Sequence, residues 1–139
     1  MKRKLKFAKE KKVSISKLKK RAWRLFSEYI RRKDVMKNGN TACFTCGFAY
    51  PWKSMQAGHW LPGRHNAVLF DERNVHPQCV KCNIFLKGNL IEYTYHMQEV
   101  YSPLVLSELR MKNYGLKQFR TVELESLIDI YKRKLSELE

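Results

Sequence analysis

Apolar residues recur every three to four positions near both ends of this chain, while its middle is broken by turn residues into short pieces. Leu18, Ala22, Leu25, Phe26, Tyr29 and Ile30 share one face of a predicted helix that runs to about Lys33, with Ser14 or Ser16 as its cap. Lys19, Lys20, Arg21, Arg24, Arg31 and Arg32 fall mostly outside that stripe, so a buried seam with a basic outer side is expected. Ser102-Pro103 opens a second helix and Tyr114-Gly115 stops it. Thr121 is the expected cap of a last helix whose stripe is Leu124, Leu127, Ile128, Tyr131, Leu135 and Leu138.

Between these helices the pattern is shorter. Asn38-Gly39-Asn40 is a break, and Phe48–Trp52 an aromatic stretch expected to pack around a knuckle. Met55–Trp60 reads as a strand, residues 62–66 as a loop and Ala67–Phe70 as a second strand. Pro77 suits the start of a helix continuing toward His96, with Gly88 its weak point. The fold class is therefore α+β, mostly helical, with a strand–loop–strand–helix centre. Three segments follow: a basic flexible arm over 1–13, a core over 14–96 and a helical extension over 97–139, the last a possible dimerisation element.

Charge turns this outline toward a partner. The chain has 139 residues and a net charge of +15, and fifteen Lys/Arg stand against two acids between Met1 and Lys33. A surface this basic favours a polyanion, nucleic acid first, over a merely soluble tail. Lys19, Lys20, Arg24, Arg31, Arg32, Arg64, Lys81 and Lys87 are the candidate DNA-contacting residues. No stretch is long and apolar enough to span a membrane, and no signal-peptide core follows the basic start, so the cytoplasm is the simplest location.

All four cysteines lie in two close pairs, Cys43-x-x-Cys46 and Cys79-x-x-Cys82. A two-residue gap lets both sulfurs of a pair face one point, and two pairs fill a tetrahedron, so a structural Zn2+ is expected in preference to disulfides. With every position taken by sulfur, that ion has no open site for chemistry.

A second set of residues lies between and just after the pairs. His59 follows Gly58 on a strand expected to face the zinc helix, and Asn83 directly follows Cys82. A neutral His takes a proton from water near pH 7, and a side-chain carbonyl suits a hard cation such as Mg2+ or Mn2+. An isolated His is more often a packed or hydrogen-bonded core residue.

The combination of Gln56-Ala-Gly-His59, Phe70-Asp-Glu-Arg-Asn74, His76-Pro-Gln-Cys79, Cys82-Asn83 and Gly88-Asn89-Leu-Ile-Glu92-Tyr93 resembles the His-Asn-His (ββα-metal) endonucleases. Within them it is most similar to the phage NinG/Rap recombination proteins, over residues 14–95, and the cysteine knot is also similar to endonuclease VII. The resemblance implies a zinc-stapled ββα-metal core in a phage protein that cleaves branched DNA, Holliday junctions and D-loops, with Mg2+ or Mn2+. It implies His59 as general base, Asn83 as metal ligand and Asn74 as the residue that orients the hairpin.

Many members of that superfamily carry Asp, a second metal ligand, where this chain has Gly58. Either His59 itself binds the metal, or His76, His65, Asp71 or Glu92 completes the site, His76 and His65 being the stronger candidates. Gly58 also keeps open a non-catalytic alternative, a zinc-containing factor that binds branched or single-stranded DNA. A basic RNA-associated knuckle protein is a third possibility. A four-way junction has twofold symmetry, which makes a homodimer the natural partner arrangement, through the Leu124–Leu138 stripe or the helix after Ser102.

Overall fold

A computed structural model describes residues 13–138. Except for Val13, the arm expected over 1–13 lies outside the described residues. Helix α1 spans Ile15–Arg32, and its cap is Ser14, whose hydroxyl accepts the Lys17 N–H at 3.2 Å. Leu18, Ala22, Phe26 and Ile30 are buried, as the stripe required. The last helix, α5, spans Thr121–Ser136 and lies along α1, burying Leu124, Ile128, Tyr131 and Leu135. Thr121 is the first helical residue and not the cap; the preceding Arg120 N–H is bonded by the Glu123 carboxylate at 3.4 Å. The stripe offered as a dimer surface is thus covered by the chain's own first helix, because two amphipathic helices bury most apolar area by facing each other.

Two small antiparallel hairpins fill the centre. Strands β1 (Asn40–Ala42) and β2 (Ala49–Pro51) flank the first cysteine pair, and a turn of 3-10 helix over Trp52–Ser54 follows. Strand β3 (Gln56–His59) delivers Gly58 and His59 as expected, but its partner is β4 (Val75–Gln78), not residues 67–70. Asn66–Leu69 is instead a short helix, α2. Its Val68 N–H bonds the His65 carbonyl at 3.1 Å, a local helical bond that takes the donor a strand ladder would need, and Val68 and Leu69 are both buried.

Pro77 likewise belongs to β4, where its carbonyl accepts the Phe44 N–H at 2.8 Å. The expected helix from Pro77 to His96 is two pieces. A wide π-helical turn covers Lys81–Phe85, closed by the Leu86 N–H on the Lys81 carbonyl at 2.8 Å. Lys87, Gly88 and Asn89 then adopt φ of 51°, 93° and 46°, and three left-handed residues in a row end any helix. Helix α3 restarts over Leu90–Val100, and α4 (Pro103–Asn113) follows with Ser102 as its cap.

The β3–β4 hairpin is the middle layer. Val75 packs on Phe26, Ile30 and Tyr131 of the α1–α5 pair. On the opposite face Tyr93 of α3 joins Trp60, Met97, Leu106 and Leu109 in a second core. The molecule is thus a mixed α and β protein, mostly helical, with small sheets. No helix of the described residues is long and apolar enough to cross a membrane.

Candidate functional site

The four cysteine sulfurs lie within 4.8 Å of one another and can hold a metal ion. Cys46 Sγ and Cys79 Sγ are 3.8 Å apart, which matches the edge of about 3.8 Å in a tetrahedron with Zn–S bonds of about 2.3 Å. Backbone N–H groups point at the sulfurs: Cys79 N at Cys43 (3.3 Å) and Cys82 N at Cys79 (3.4 Å). Burial works to raise the Cys43 thiol, but hydrogen bonds from Thr45 and from the N–H groups of Cys79, Cys46 and Thr45 outweigh it and hold its pKa at about 6. Cys46, by contrast, is pushed up to about 12, chiefly by burial and with repulsion from Cys43. Four thiolates cannot coexist so closely without a cation, so a metal held here would couple its own binding to folding of the knot.

His59 faces α1, and the expectation that it faces the zinc arm is corrected. Its ring stacks on Trp23 with centroids 5.2 Å apart and planes 18° from parallel. Alternation along β3 is the cause: the Gly58 face turns to the cysteine arm, and the next residue must turn away. His59 Nε2 lies 3.2 Å from the Leu69 carbonyl, the outcome of the turn that α2 makes. A carbonyl only accepts, so Nε2 carries the proton and Nδ1 keeps its lone pair. Burial lowers the His59 pKa below the usual 6.5, opposed in part by the Leu69 bond, and the Arg64 charge lowers it further. The ring is therefore neutral at pH 7, with Nδ1 the nitrogen able to accept a proton.

The Gly58 face carries a different group. A Cβ at position 58 would stand 1.8 Å from Gln78 Oε1 and 3.0 Å from Asn83 Oδ1. Asn83 is half-buried, and its Nδ2 donates to Gln56 Oε1 at 2.7 Å, which leaves Oδ1 turned toward Gly58. The absent carboxylate position is thus filled by amide oxygens of other residues.

His76 is not at this site in a usable form, which corrects its ranking. It is buried against Phe44, with ring centroids 4.0 Å apart. Its Nδ1 is 2.9 Å from the Tyr93 hydroxyl and its Nε2 2.9 Å from the Tyr101 hydroxyl. The single Tyr93 proton goes to the Gly58 carbonyl at 2.7 Å, so Nδ1 donates to Tyr93 and Nε2 accepts from Tyr101. Both nitrogens are occupied, and burial lowers the pKa to about 3. The result is a clamp on the Gly58 backbone.

His65 stands exposed at the start of α2 with Nδ1 3.1 Å from Asn113 Oδ1, a loop contact. Asn74 is fully buried. Its Oδ1 accepts the Leu61 N–H at 3.0 Å, its Nδ2 reaches the Val68 carbonyl at 3.4 Å, and its own carbonyl takes the Trp60 N–H. It joins both ends of the loop between β3 and β4. Asp71 works against burial through bonds from Arg73 and Lys112, which hold its carboxyl down to about 2; it is a loop brace. Glu92 is exposed.

The basic residues divide by position. Lys19, Lys20 and Arg64 line a cleft of about 350 Å³ with Ser16, Trp23 and Leu69, beside His59. The Arg64 guanidinium also sits over the Trp23 ring at 4.5 Å. Arg24, Lys81 and Lys87 are exposed. Arg31 and Arg32 lie at the other end of α1, about 18 Å from Lys19 at 1.5 Å per residue. Both pack over Trp52, at 5.4 and 5.2 Å, and so fasten α1 to the first knuckle.

Trp23, Gln78 and the Leu69 carbonyl escaped the sequence reading. Trp23 breaks the basic outer side of α1, and Gln78 puts an amide among the buried residues of β4; both are visible irregularities, but their targets are distant in sequence. A backbone carbonyl leaves no sequence signal.

Comparison with known proteins places the chain. The family model for the bacteriophage lambda NinG protein matches residues 1–139, and the chain belongs to the NinG family. NinG proteins of Salmonella phage P22 and Escherichia phage 933W are each 27% identical to it over 125 residues. The NinG protein of Escherichia phage lambda is 26% identical over the same length. Each match covers 86% of this chain but only 56% or 57% of the relative, so the chain spans little more than half the length of these proteins. No solved structure matches.

Proposed function

We propose that this NinG-family chain hydrolyses phosphodiester bonds in branched DNA, such as Holliday junctions and D-loops, with Mg2+ or Mn2+, and that β3, β4 and the helical turn after Cys82 form a ββα-metal site. The observation that carries this is the setting of His59: Nε2 is fixed on the Leu69 carbonyl, Nδ1 is free, and the ring is held neutral beside a cleft lined by Lys19, Lys20 and Arg64. A general base needs this combination of orientation and protonation state.

The residues present fit a hard divalent cation. Asn83 Oδ1 and Gln78 Oε1 converge on the space beside Gly58, and both are amide oxygens of the kind such ions accept. Bound there, an ion would supply neutralising charge to a phosphate lying across the end of β3, where His59 is the strand's last residue. Trp23 and the Leu69 carbonyl hold the imidazole so that Nδ1 takes the proton of an attacking water. Lys19, Lys20 and Arg64 hold neighbouring phosphates, contacts that position the strand without reading sequence. The four-cysteine knot, with Zn2+ as the proposed ion, keeps Asn83 against β3 and takes no part in the chemistry.

A labelled four-way junction incubated with the zinc-loaded chain tests this, with Mg2+ or EDTA and linear duplex as the comparison. Paired cuts near the branch that need the divalent ion and vanish in His59→Ala are expected. The loss of a carboxylate at Gly58 favours a second reading, a zinc-containing recombination factor that binds branched or single-stranded DNA without cutting it. Tight junction binding with no cut in any divalent metal would establish that reading instead.

A further inference from the structure

Among the described residues, Gln78 Oε1 is the buried side-chain oxygen left without a hydrogen-bond partner. Its direction is not a matter of choice. Gln78 Nε2 donates to the Gly88 carbonyl at 2.9 Å and to Thr45 Oγ1 at 3.2 Å. A carbonyl cannot donate, so the nitrogen end must face Gly88 and the oxygen end must face Gly58. Oε1 then occupies the space of the side chain that Gly58 lacks. With Asn83 Nδ2 paired to Gln56 Oε1, Asn83 Oδ1 lies toward the same space, 3.0 Å from where a Gly58 Cβ would stand. Two acceptors converge with no donor between them. Burying an acceptor unpaired costs folding free energy, which a cation at Oε1 would offset.

We infer that Gln78 is a cation ligand: its Oε1, with Asn83 Oδ1, forms a carboxylate-free oxygen site that takes a divalent ion together with a DNA phosphate. The inference rests on the metal-dependent reading of the same site and names the residue that replaces the carboxylate. Gly58 is required for it, because any Cβ there would collide with Oε1. Gln78 is fully buried, while Asn83 and Gln56 beside it are half-buried. Two neutral amides on a chain of net charge +15 attract a free cation poorly. Mg2+ sites usually add one or two carboxylates and substrate phosphates, so here the phosphate must supply the negative charge. Binding of ion and DNA is therefore reciprocal, each tightening the other by the same factor.

The test is Mn2+ titration of the zinc-loaded, 15N-labelled full chain, reading paramagnetic broadening of side-chain amide signals. It is run without DNA and, in His59→Ala to prevent cutting, with a short branched DNA. Broadening should begin at the Gln78 and Asn83 amides and occur at lower Mn2+ when DNA is present. Gln78→Ala should weaken Mn2+ binding about tenfold, and Gly58→Asp with Gln78→Ala should restore it or exceed the original affinity, because a charged ligand replaces a neutral one. Broadening centred on Asp71 or Glu92 would overturn the inference. So would unchanged Mn2+ affinity in a Gln78→Ala chain that keeps its zinc and melting temperature. If Gln78→Ala fails to fold, the titration of the unsubstituted residues decides alone. Mn2+ at Gln78 without cleavage would sink the nuclease reading and keep the site; cleavage with Mn2+ bound elsewhere would do the reverse.

Discussion

The indole of Trp23 and the imidazole of His59 lie stacked, 5.2 Å between centroids, although one sits on the first helix and the other on a strand beyond the first cysteine pair. Burial by Trp23 keeps the ring neutral, and the Leu69 carbonyl fixes which nitrogen is free.

Removing either partner should therefore have distinct effects. His59→Ala should lower junction cleavage by about 10²–10⁴-fold with the fold intact, as expected for loss of a positioned base. Trp23→Ala should leave weaker cleavage whose acid limb moves up toward 6.5, since an exposed ring regains its ordinary pKa. In the native chain that limb should lie below 6.5, because His59 as the proposed base must be unprotonated to act. Single-turnover rates from pH 5 to 8 measure both.

Stability should depend on pH through His76. Its folded-state pKa of about 3 lies below the unfolded value of 6.5, so the unfolded chain binds more protons as the pH falls under 6.5. Its contribution is fully present above 6.5 and is lost as pH falls from there toward 3, at about 1.4 kcal/mol per pH unit. His59 adds a smaller loss of the same sign just below 6.5. Asp71 enters only below 3.8, and because the Cys43 thiol also titrates near 6, denaturant unfolding between pH 4.5 and 6.5 is read as the difference between the unsubstituted chain and His76→Phe. The slope should flatten in His76→Phe relative to the unsubstituted chain; equal slopes would show that the Tyr93–His76–Tyr101 clamp opens in solution.

Stripping the metal from the cysteine knot should unfold the centre of the molecule. Coordination there would be worth a large part of the roughly 5–15 kcal/mol of stability typical of a domain. A strong chelator should release one zinc per chain and abolish the near-ultraviolet circular dichroism of the surrounding aromatic residues. Cys46→Ser should do the same, though Cys46 is the exposed member of the four. Retention of those signals in metal-free protein would mean that packing alone holds the arm.

The two ends of α1 should behave differently toward DNA. Lys19→Ala with Lys20→Ala should reduce the slope of log affinity against log salt by about 2 for duplex-like contacts. Arg31→Ala with Arg32→Ala should leave that slope nearly unchanged and lower the melting temperature, because both guanidiniums are held over Trp52. Fluorescence anisotropy at several salt concentrations and a thermal melt separate the outcomes.

What the sequence determined by itself was local. Ser14 and the stripe it precedes made α1; Ser102-Pro103 and Tyr114-Gly115 bounded α4; and two Cys-x-x-Cys pairs announced a metal knot. Each is set by neighbours within a turn or two, where spacing fixes geometry. Strand pairing is different. Ala67–Phe70 is an apolar run, whereas Val75–Gln78 mixes one apolar side chain with His76, Pro77 and Gln78, yet the register with β3 selects the second. The tertiary structure alone decided which face of β3 each residue takes, and so turned His59 toward Trp23 and Gly58 toward Gln78. It also made His76 a clamp by placing tyrosines from two later segments on its nitrogens. A side chain's chemistry depends on which distant groups satisfy its donors and acceptors, and those groups meet only when the chain is folded.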